Sequence, residues 1–320
     1  MEIETAVRPD ETDTALLDLL RQLHQQGYRF VTPTPATHAR VIARADRTMA
    51  RSIEDALGWS LPFARDTLPQ PLLTYLDAAG MIERTAEGWR SRVRVSTLHD
   101  TLYLHSAYPT DAQDAVFFGP DSYRFADLIA RELHAEPVQT DAHIVDIGTG
   151  AGVGAIVASQ CSPQARVTMT DINSQALRLA RINARAANVR IDAMETPGIE
   201  GVEGDIDVAM INPPYIIDED ARTYRDGGGM HGAQLSLDLT DAALGRLRPG
   251  GRVILYTGSA IVRGQDRLQT ALAQRAAHRG CRLRYRELDP DVFGEELEKP
   301  AYADVDRIAL VAAILTAAGR

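Results

Sequence analysis

From residue 143 onward, short apolar segments rich in Val and Ile alternate with longer amphipathic ones. The order is HIVDI, a glycine-rich turn with a helical stretch, RVTMTDIN, SQALRLARINARAA, DVAMI, LDLTDAALGRLR and RVILYTG. This alternation constrains the fold more than any other feature. A strand covered on both faces reads as a near-continuous apolar run, and strands separated by helices predict a parallel sheet with helices on either side. A helix over RFADLIARELHAE precedes the first strand, and CRLRYREL and DRIALVAAILTA read as two further strands. The predicted class is α/β, a Rossmann-like, doubly wound sheet.

The first third of the chain reads differently. Residues 12–27 carry apolar positions at helical spacing and end on Gly27, a C-cap residue type. A second helical stretch covers ATHARVIARADRTM and a third covers LPQPLLTYLDAAG. The segment after Gly80 alternates apolar and polar residues around Gly88, as a strand–turn–strand does. Helices followed by a hairpin predict a small, winged-helix-like domain over residues 1–110, with the α/β domain over 111–320. Such a domain can serve as a substrate lid, a dimerisation surface, a nucleic-acid-binding unit or a packing module. Its roughly balanced charge argues against a DNA-reading wing.

Composition narrows the class. The 320 residues are 45% hydrophobic and 24% charged, an ordinary globular balance. The acidic start, MEIETAVRPDETD, has no apolar core segment, so no secretory signal is expected. No uncharged stretch reaches the roughly 18 residues of a membrane span. Cys161 and Cys281 stand in unrelated contexts, as neither a metal cluster nor a disulfide framework, which fits a reducing cytoplasm. The formal charge of −10 disfavours a long polyanionic partner, since enzymes of nucleic acids usually present a basic face. Lys299 is the only lysine. Composition says nothing of oligomeric state.

Two motifs carry chemistry. Asp146-Ile147-Gly148-Thr149-Gly150-Ala151-Gly152 ends the first strand and opens a helix. Glycines there let the backbone turn sharply and approach a ligand, at the carboxyl edge where open α/β sheets bind one. Asp171 ends the next strand, 25 residues after Asp146, where a carboxylate can accept from both hydroxyls of a ribose. The loop alone is ambiguous. Gly150-Ala151-Gly152-Val153-Gly154-Ala155 also fits the dinucleotide pattern, so a nicotinamide dehydrogenase competes at this point.

The second motif is Asn212-Pro213-Pro214-Tyr215, directly after the strand IDVAMI. Proline cannot continue a central strand, so the pair forces the chain off the sheet at its carboxyl end. The Asn212 side-chain oxygen and the Pro213 carbonyl then become fixed acceptors, and Tyr215 adds a flat ring. An amide or aromatic amine nitrogen is planar because its lone pair is delocalised, and it is a poor nucleophile. Two acceptors on its N–H bonds favour the developing tetrahedral nitrogen over the planar ground state.

VDIGTGAG, TDIN and INPPYI, in that order, resemble the motifs of class I S-adenosylmethionine-dependent N-methyltransferases. That group includes release-factor glutamine, adenine-N6 DNA and guanine-N2 ribosomal RNA methyltransferases. The resemblance covers about residues 115–320 and implies a seven-stranded sheet with the last strand antiparallel. It implies that Asp146, Gly148, Thr149, Gly150, Gly152, Asp171, Ile172 and Asn212 bind S-adenosyl-L-methionine, Asp146 toward the methionine ammonium group. It also implies that Asn212, Pro213, Pro214 and Tyr215 hold the target amine, and no metal. The expected activity is N-methylation of a protein glutamine or a small-molecule amide or amine. N-methylation of a base in RNA or DNA is the alternative, and a winged-helix regulator that senses a nucleotide through a degenerate domain is a third reading.

Three segments are read less specifically. Val116–Tyr123 lacks the Pro-Arg-x-x-Thr-Glu pattern of the release-factor enzymes, and Asp121 in it reads equally as a helix cap or as part of a cofactor contact. Tyr224–Gly232, with three consecutive glycines and His231, reads as a flexible lid or a plain surface loop. The acidic loop Asp289–Glu298 reads as a solvated loop or a selector of cationic substrates, and the adenine contact falls near Glu195 or Asp205.

Overall fold

The structure is a computed structural model that describes residues 11–218 and 226–319. The expectation for the acidic N-terminus, residues 1–10, and that for Tyr224 and Arg225 fall outside the described residues. The chain divides into two compact units. One comprises residues up to Asp111 with Phe117–Pro120 and Arg181–Asn188, and the other Ala112–Val116, Asp121–Ala180 and Val189–Arg320.

In the first unit, α1 (Glu11–Gln25) buries Leu16, Leu19, Leu20 and Leu23, the i, i+3, i+4, i+7 face of an amphipathic helix. α2 (Pro35–Ile42) is capped by the Thr34 hydroxyl, which accepts from the Thr37 N–H. It ends well before the sequence pattern does. The Ala50 N–H bonds to the Pro62 carbonyl, and Asp55 takes the Arg47 guanidinium at 2.7 Å and the Arg51 N–H. These bonds turn the chain into the short α3 (Ile53–Leu57). α4 (Gln70–Ala78) follows and packs on α1.

Two hairpins come next, where the alternation predicts one. β1 (Ile82–Arg84) pairs with β2 (Trp89–Ser91), and β3 (Val93–Leu98) pairs with β4 (Thr101–Ser106), all antiparallel. β3 is buried along its whole length, Arg94 included. The Arg94 guanidinium donates to the Gly58 carbonyl at 2.8 Å. His38 and His105 are fully buried nearby, and burial pushes both well down from the ordinary histidine range, His38 to about 4. Both rings are therefore neutral at pH 7.

The larger unit holds α5 (Pro120–Ala135), β5 (His143–Ile147), α6 (Val153–Cys161), β6 (Arg166–Asp171), α7 (Ser174–Ala186), β7 (Asp192–Glu195) and β8 (Ile206–Ile211). It continues with α8 (Gln234–Leu244), β9 (Leu247–Val262), the two-residue β10 (Gln265–Asp266), α9 (Arg267–His278), β11 (Arg282–Asp289) and β12 (Arg307–Thr316). Pro120 and the second half of α7, from Arg181 onward, belong to the smaller unit. The sheet order is β11-β12-β9-β8-β5-β6-β7, with β10 beside β9. β7, β6, β5, β8 and β9 run parallel, and β12 lies antiparallel between β9 and β11. This mixed sheet matches the expected architecture, antiparallel last strand included.

One face of the sheet packs Val145, Ile147, Ala209, Ile211, Val253 and Leu255 with Leu237 and Leu244 of α8 and Leu268 and Leu272 of α9. Fully burying one such side chain contributes roughly 1.5–3 kcal/mol. α5 is fastened near its C-terminal end, where the buried Glu132 takes both terminal nitrogens of Arg284 at 3.0 and 2.6 Å.

Candidate active site

β5 and β8 are parallel neighbours, with Ile147 directly opposite Ile211. The residues that follow, Gly148 and Asn212, therefore leave the sheet side by side at its carboxyl edge. Thr170 of β6 lies opposite Ile147, so Asp171 leaves beside the glycine loop on the other flank. The register alone brings both motifs and the acidic residue to one place.

The loop is held from within. Gly148, Gly150 and Gly152 all have positive φ, 70°, 53° and 85°, a region costly for residues with a Cβ. The N–H groups of Gly148 and Thr149 both donate to the Thr170 carbonyl at 2.9 Å. Open space lies where a Cβ would stand at Gly148 and Gly150. Asp146 is 1% exposed, and its Oδ2 accepts from the Thr149 hydroxyl at 2.5 Å and the Ala155 N–H at 2.9 Å. Its carboxylate thus ties the loop to the first turn of α6. Burial raises its pKa to about 6 against the pull of those two hydrogen bonds.

Asp171 accepts the Gly150 N–H on Oδ2 and the Asn173 N–H on Oδ1, both at 2.9 Å. Burial raises its pKa as well. A carboxylate has about four acceptor positions, so further donors can be taken. Ile172 beside it is 52% exposed, one of three large apolar side chains so exposed among the described residues. An acceptor flanked by an open apolar surface, next to a loop that leaves room for a ligand, suits a nucleoside.

On the other flank, Asn212 is partly buried, and no hydrogen bond among the described residues engages its side chain. Tyr215 is 8% exposed, and its hydroxyl donates to Asp121 Oδ2 at 2.7 Å. Asp121 lies in the first turn of α5 and accepts the Tyr256 hydroxyl on Oδ1 at 2.8 Å. It is a tyrosine anchor, a role that neither reading of it as cap or cofactor contact contains. Burial raises its carboxyl pKa and pushes Tyr215 well above the ordinary phenol value. One face of the Tyr215 ring rests on the backbone of β9 at Gly258, where an added Cβ would stand 2.8 Å from Cε2 and nearer still to Cδ2. Phe293 meets the ring edge-on, centroids 5.8 Å apart.

Two further segments lock onto the motif. The Asp226–Gly232 turn runs backbone to backbone with it: a Cβ on Gly227 would lie 2.8 Å from the Pro214 carbonyl oxygen, and one on Gly232 2.6 Å from the Tyr215 carbonyl carbon. The glycines here serve close approach, and the described part of the segment is packed rather than loose. His231 is paired with Asp304 at 2.9 Å. In the loop before β12, the Tyr302 hydroxyl accepts the Ile217 N–H at 2.7 Å, and the 1%-exposed Glu296 binds Lys299 at 2.6 Å. That loop reads from sequence as solvated. The structure makes it a wall of the motif, in which the buried Glu296 pairs with the half-buried side chain of the chain's one lysine. Glu195 ends β7 beside Asp171, while Asp205 lies just before β8.

Among the described residues, no group of three or more His, Cys, Asp or Glu side chains is placed to hold a metal, and no helix is long and apolar enough to cross a membrane.

The family model of the methyltransferase small domain matches residues 125–261, which contain the glycine loop, Asp171 and the Asn-Pro-Pro-Tyr segment. The release factor glutamine methyltransferase of Streptococcus pneumoniae is 34% identical over 195 residues, 57% of this chain and 67% of that protein. That of Deinococcus radiodurans is 31% identical over 157 residues, 48% of this chain, and the match spans only 55% of its length. Among solved structures, Trm5b from Pyrococcus abyssi superposes with a TM-score of 0.50 at 14% identity, covering 78% of this chain and 71% of that one, a likeness of fold. Sheet order, motif placement and relatives agree, and they leave the dinucleotide reading of the loop without support: the chain belongs to the class I S-adenosylmethionine-dependent N-methyltransferases.

Proposed function

We propose that the protein transfers the methyl group of S-adenosylmethionine to the side-chain amide nitrogen of a glutamine in a protein substrate, in the cytoplasm. One observation carries this reading. The Asn212 amide, without a hydrogen bond among the described residues, leaves the sheet directly beside Gly148, so an acceptor gripped by the first lies against a ligand held by the second. The relatives named for methylating a release-factor glutamine supply the substrate class.

The residues divide the work. Gly148 and Gly150 give the cofactor room, Gly152 lets the loop pack closely against Ala180 of α7, and Thr149 closes the loop onto Asp146. The remaining acceptor positions of Asp171 take the ribose hydroxyls, and Ile172 covers the adenine. When bound, S-adenosylmethionine supplies a methyl group on a cationic sulfur. Asn212 Oδ1 and the Pro213 carbonyl accept the two N–H bonds of the target amide. They favour the pyramidal nitrogen of the transition state, and Pro214 fixes the carbonyl before it. Tyr215 sets the plane of the amide. The N–CH3 bond would form as the S–CH3 bond breaks with its electron pair left on sulfur, giving S-adenosylhomocysteine, and one N–H proton leaves to solvent. Positioning of this kind can contribute several kcal/mol. In this reading the smaller N-terminal unit, residues 1–110, selects the protein substrate.

The test supplies labelled S-adenosylmethionine and the purified protein to separate protein, RNA, DNA and small-molecule fractions of a cell extract. Label in the protein fraction, released by hydrolysis as N-methylglutamine, is the expected result. Label confined to RNA or DNA would move the acceptor to a base, and no uptake in any fraction would overturn the reading.

A further inference from the structure

We propose that Asp121 is a positioning residue for methyl transfer, fixing the plane of the Tyr215 ring through its hydroxyl and so aiming the acceptor nitrogen. This rests on the reading above, in which Tyr215 holds the acceptor.

Three contacts define the ring. Its hydroxyl donates to Asp121 Oδ2 at 2.7 Å. One face lies on the Cβ-free backbone of Gly258, and its edge meets Phe293. The face and edge contacts are apolar and tolerate sliding. Only the hydrogen bond is directional, so it sets the tilt. The anchor is itself immobile. Asp121 is 7% exposed, sits in the first turn of α5, and gives its other oxygen to Tyr256 of β9, two residues before Gly258. The floor under the ring and the far end of its tether therefore belong to the same strand. α5 is bound to the sheet again by Glu132 and Arg284. A ring needed only to fill space would require no buried carboxylate, since removing one from water is costly unless it is used. Arg124 stands 3.7 Å from Oδ1 as the nearest cation.

A tether acting through Tyr215 makes a specific kinetic statement. Tyr215→Phe keeps the ring and its apolar contacts but frees its tilt, and Asp121→Asn weakens the same bond from the other end. Each lowers kcat about 10- to 100-fold, the cost of a misplacement of about 1 Å, with KM changed less than about 3-fold. The affinity for S-adenosylmethionine, read by calorimetry, stays unchanged. The double variant is no slower than the slower single one, because both remove one bond. The assay uses tritiated S-adenosylmethionine and unmethylated release factor. Multiplicative losses in the double variant, or equal losses in kcat and cofactor affinity, would make Asp121 a merely structural residue and overturn the proposal. So would full activity of Tyr215→Phe, a variant that stays informative if Asp121→Asn fails to fold. Tyr215→Ala separates the two readings. If it retains activity, Tyr215 does not hold the acceptor and the reading above fails; if only Tyr215→Phe retains activity, the tether alone fails.

Discussion

Replacing Asp146 by Asn should change how stability depends on pH while loosening the cofactor loop. The unfolded carboxyl titrates near 3.8 and the folded one at about 6. Between these values the folded state keeps a proton that the unfolded state has lost. The contribution of this group is therefore fully present below pH 3.8 and is lost as pH rises through 6. The shift corresponds to about 3 kcal/mol working against the fold above pH 7. The side chain is 1% exposed, so solvent screens little of it. Asn carries no such titration. Its single oxygen must serve the Thr149 hydroxyl and the Ala155 N–H, and its amide hydrogens enter a buried space, a cost of about 1–3 kcal/mol that does not vary with pH. Urea unfolding followed by circular dichroism from pH 4 to 7.5 reads the difference. The stability of Asp146→Asn relative to the native protein should rise by about 2.5 kcal/mol across that range, and its affinity for S-adenosylmethionine at pH 7.5 should fall. A relative stability that stays flat or declines with pH would refute the argument.

Other predictions follow from the same geometry. Gly258→Ala drives a methyl group into the Tyr215 ring, so methyl transfer should fall about 100-fold while calorimetric affinity for S-adenosylmethionine is kept; unchanged turnover would show that the ring is not held there. Asp171→Ala removes the acceptor of the Gly150 N–H as well as the expected ribose contact, and should weaken cofactor binding at least about 10-fold, or 1.4 kcal/mol, by calorimetry. Lys299→Met leaves Glu296 buried without its cation and should cost about 1–3 kcal/mol in urea unfolding. Adding Glu296→Gln should recover part of that loss, since the charge that Lys299 balanced is then gone.

The sheet was legible because its signal is periodic and local. HIVDI, RVTMTD and IDVAMI are buried strands in register, and the two motifs sit where the chain leaves them. The juxtaposition of Gly148 and Asn212 follows from strand order, β5 beside β8, which local periodicity does not encode. What stayed hidden is non-local. Asp121 lies 94 residues from Tyr215 and 135 from Tyr256, and its own neighbourhood shows only a helix start. The loop before β12 is rich in acidic residues, a pattern that reads as solvated. Its burial depends on Glu296 finding Lys299 and on Tyr302 reaching Ile217, 85 residues away. In the N-terminal unit, Arg94 and Ser96 alternate with Val93 and Val95 like the solvent face of a strand. Yet β3 is buried on both faces, where the Gly58 carbonyl accepts from Arg94 and the His105 imidazole pairs with the Ser96 hydroxyl.

The central claim is that the side chain of Asn212 grips the N–H of the acceptor, and a single-turnover measurement tests it most directly. Asn212→Ala, loaded with tritiated S-adenosylmethionine at a concentration shown by calorimetry to saturate it, is mixed with unmethylated acceptor from the extract fraction that takes up label. Transfer should slow by about 100- to 1000-fold, as when one oriented transition-state contact is lost, with cofactor affinity changed by less than about 10-fold, or 1.4 kcal/mol. Transfer at the native rate with the cofactor bound would contradict the account.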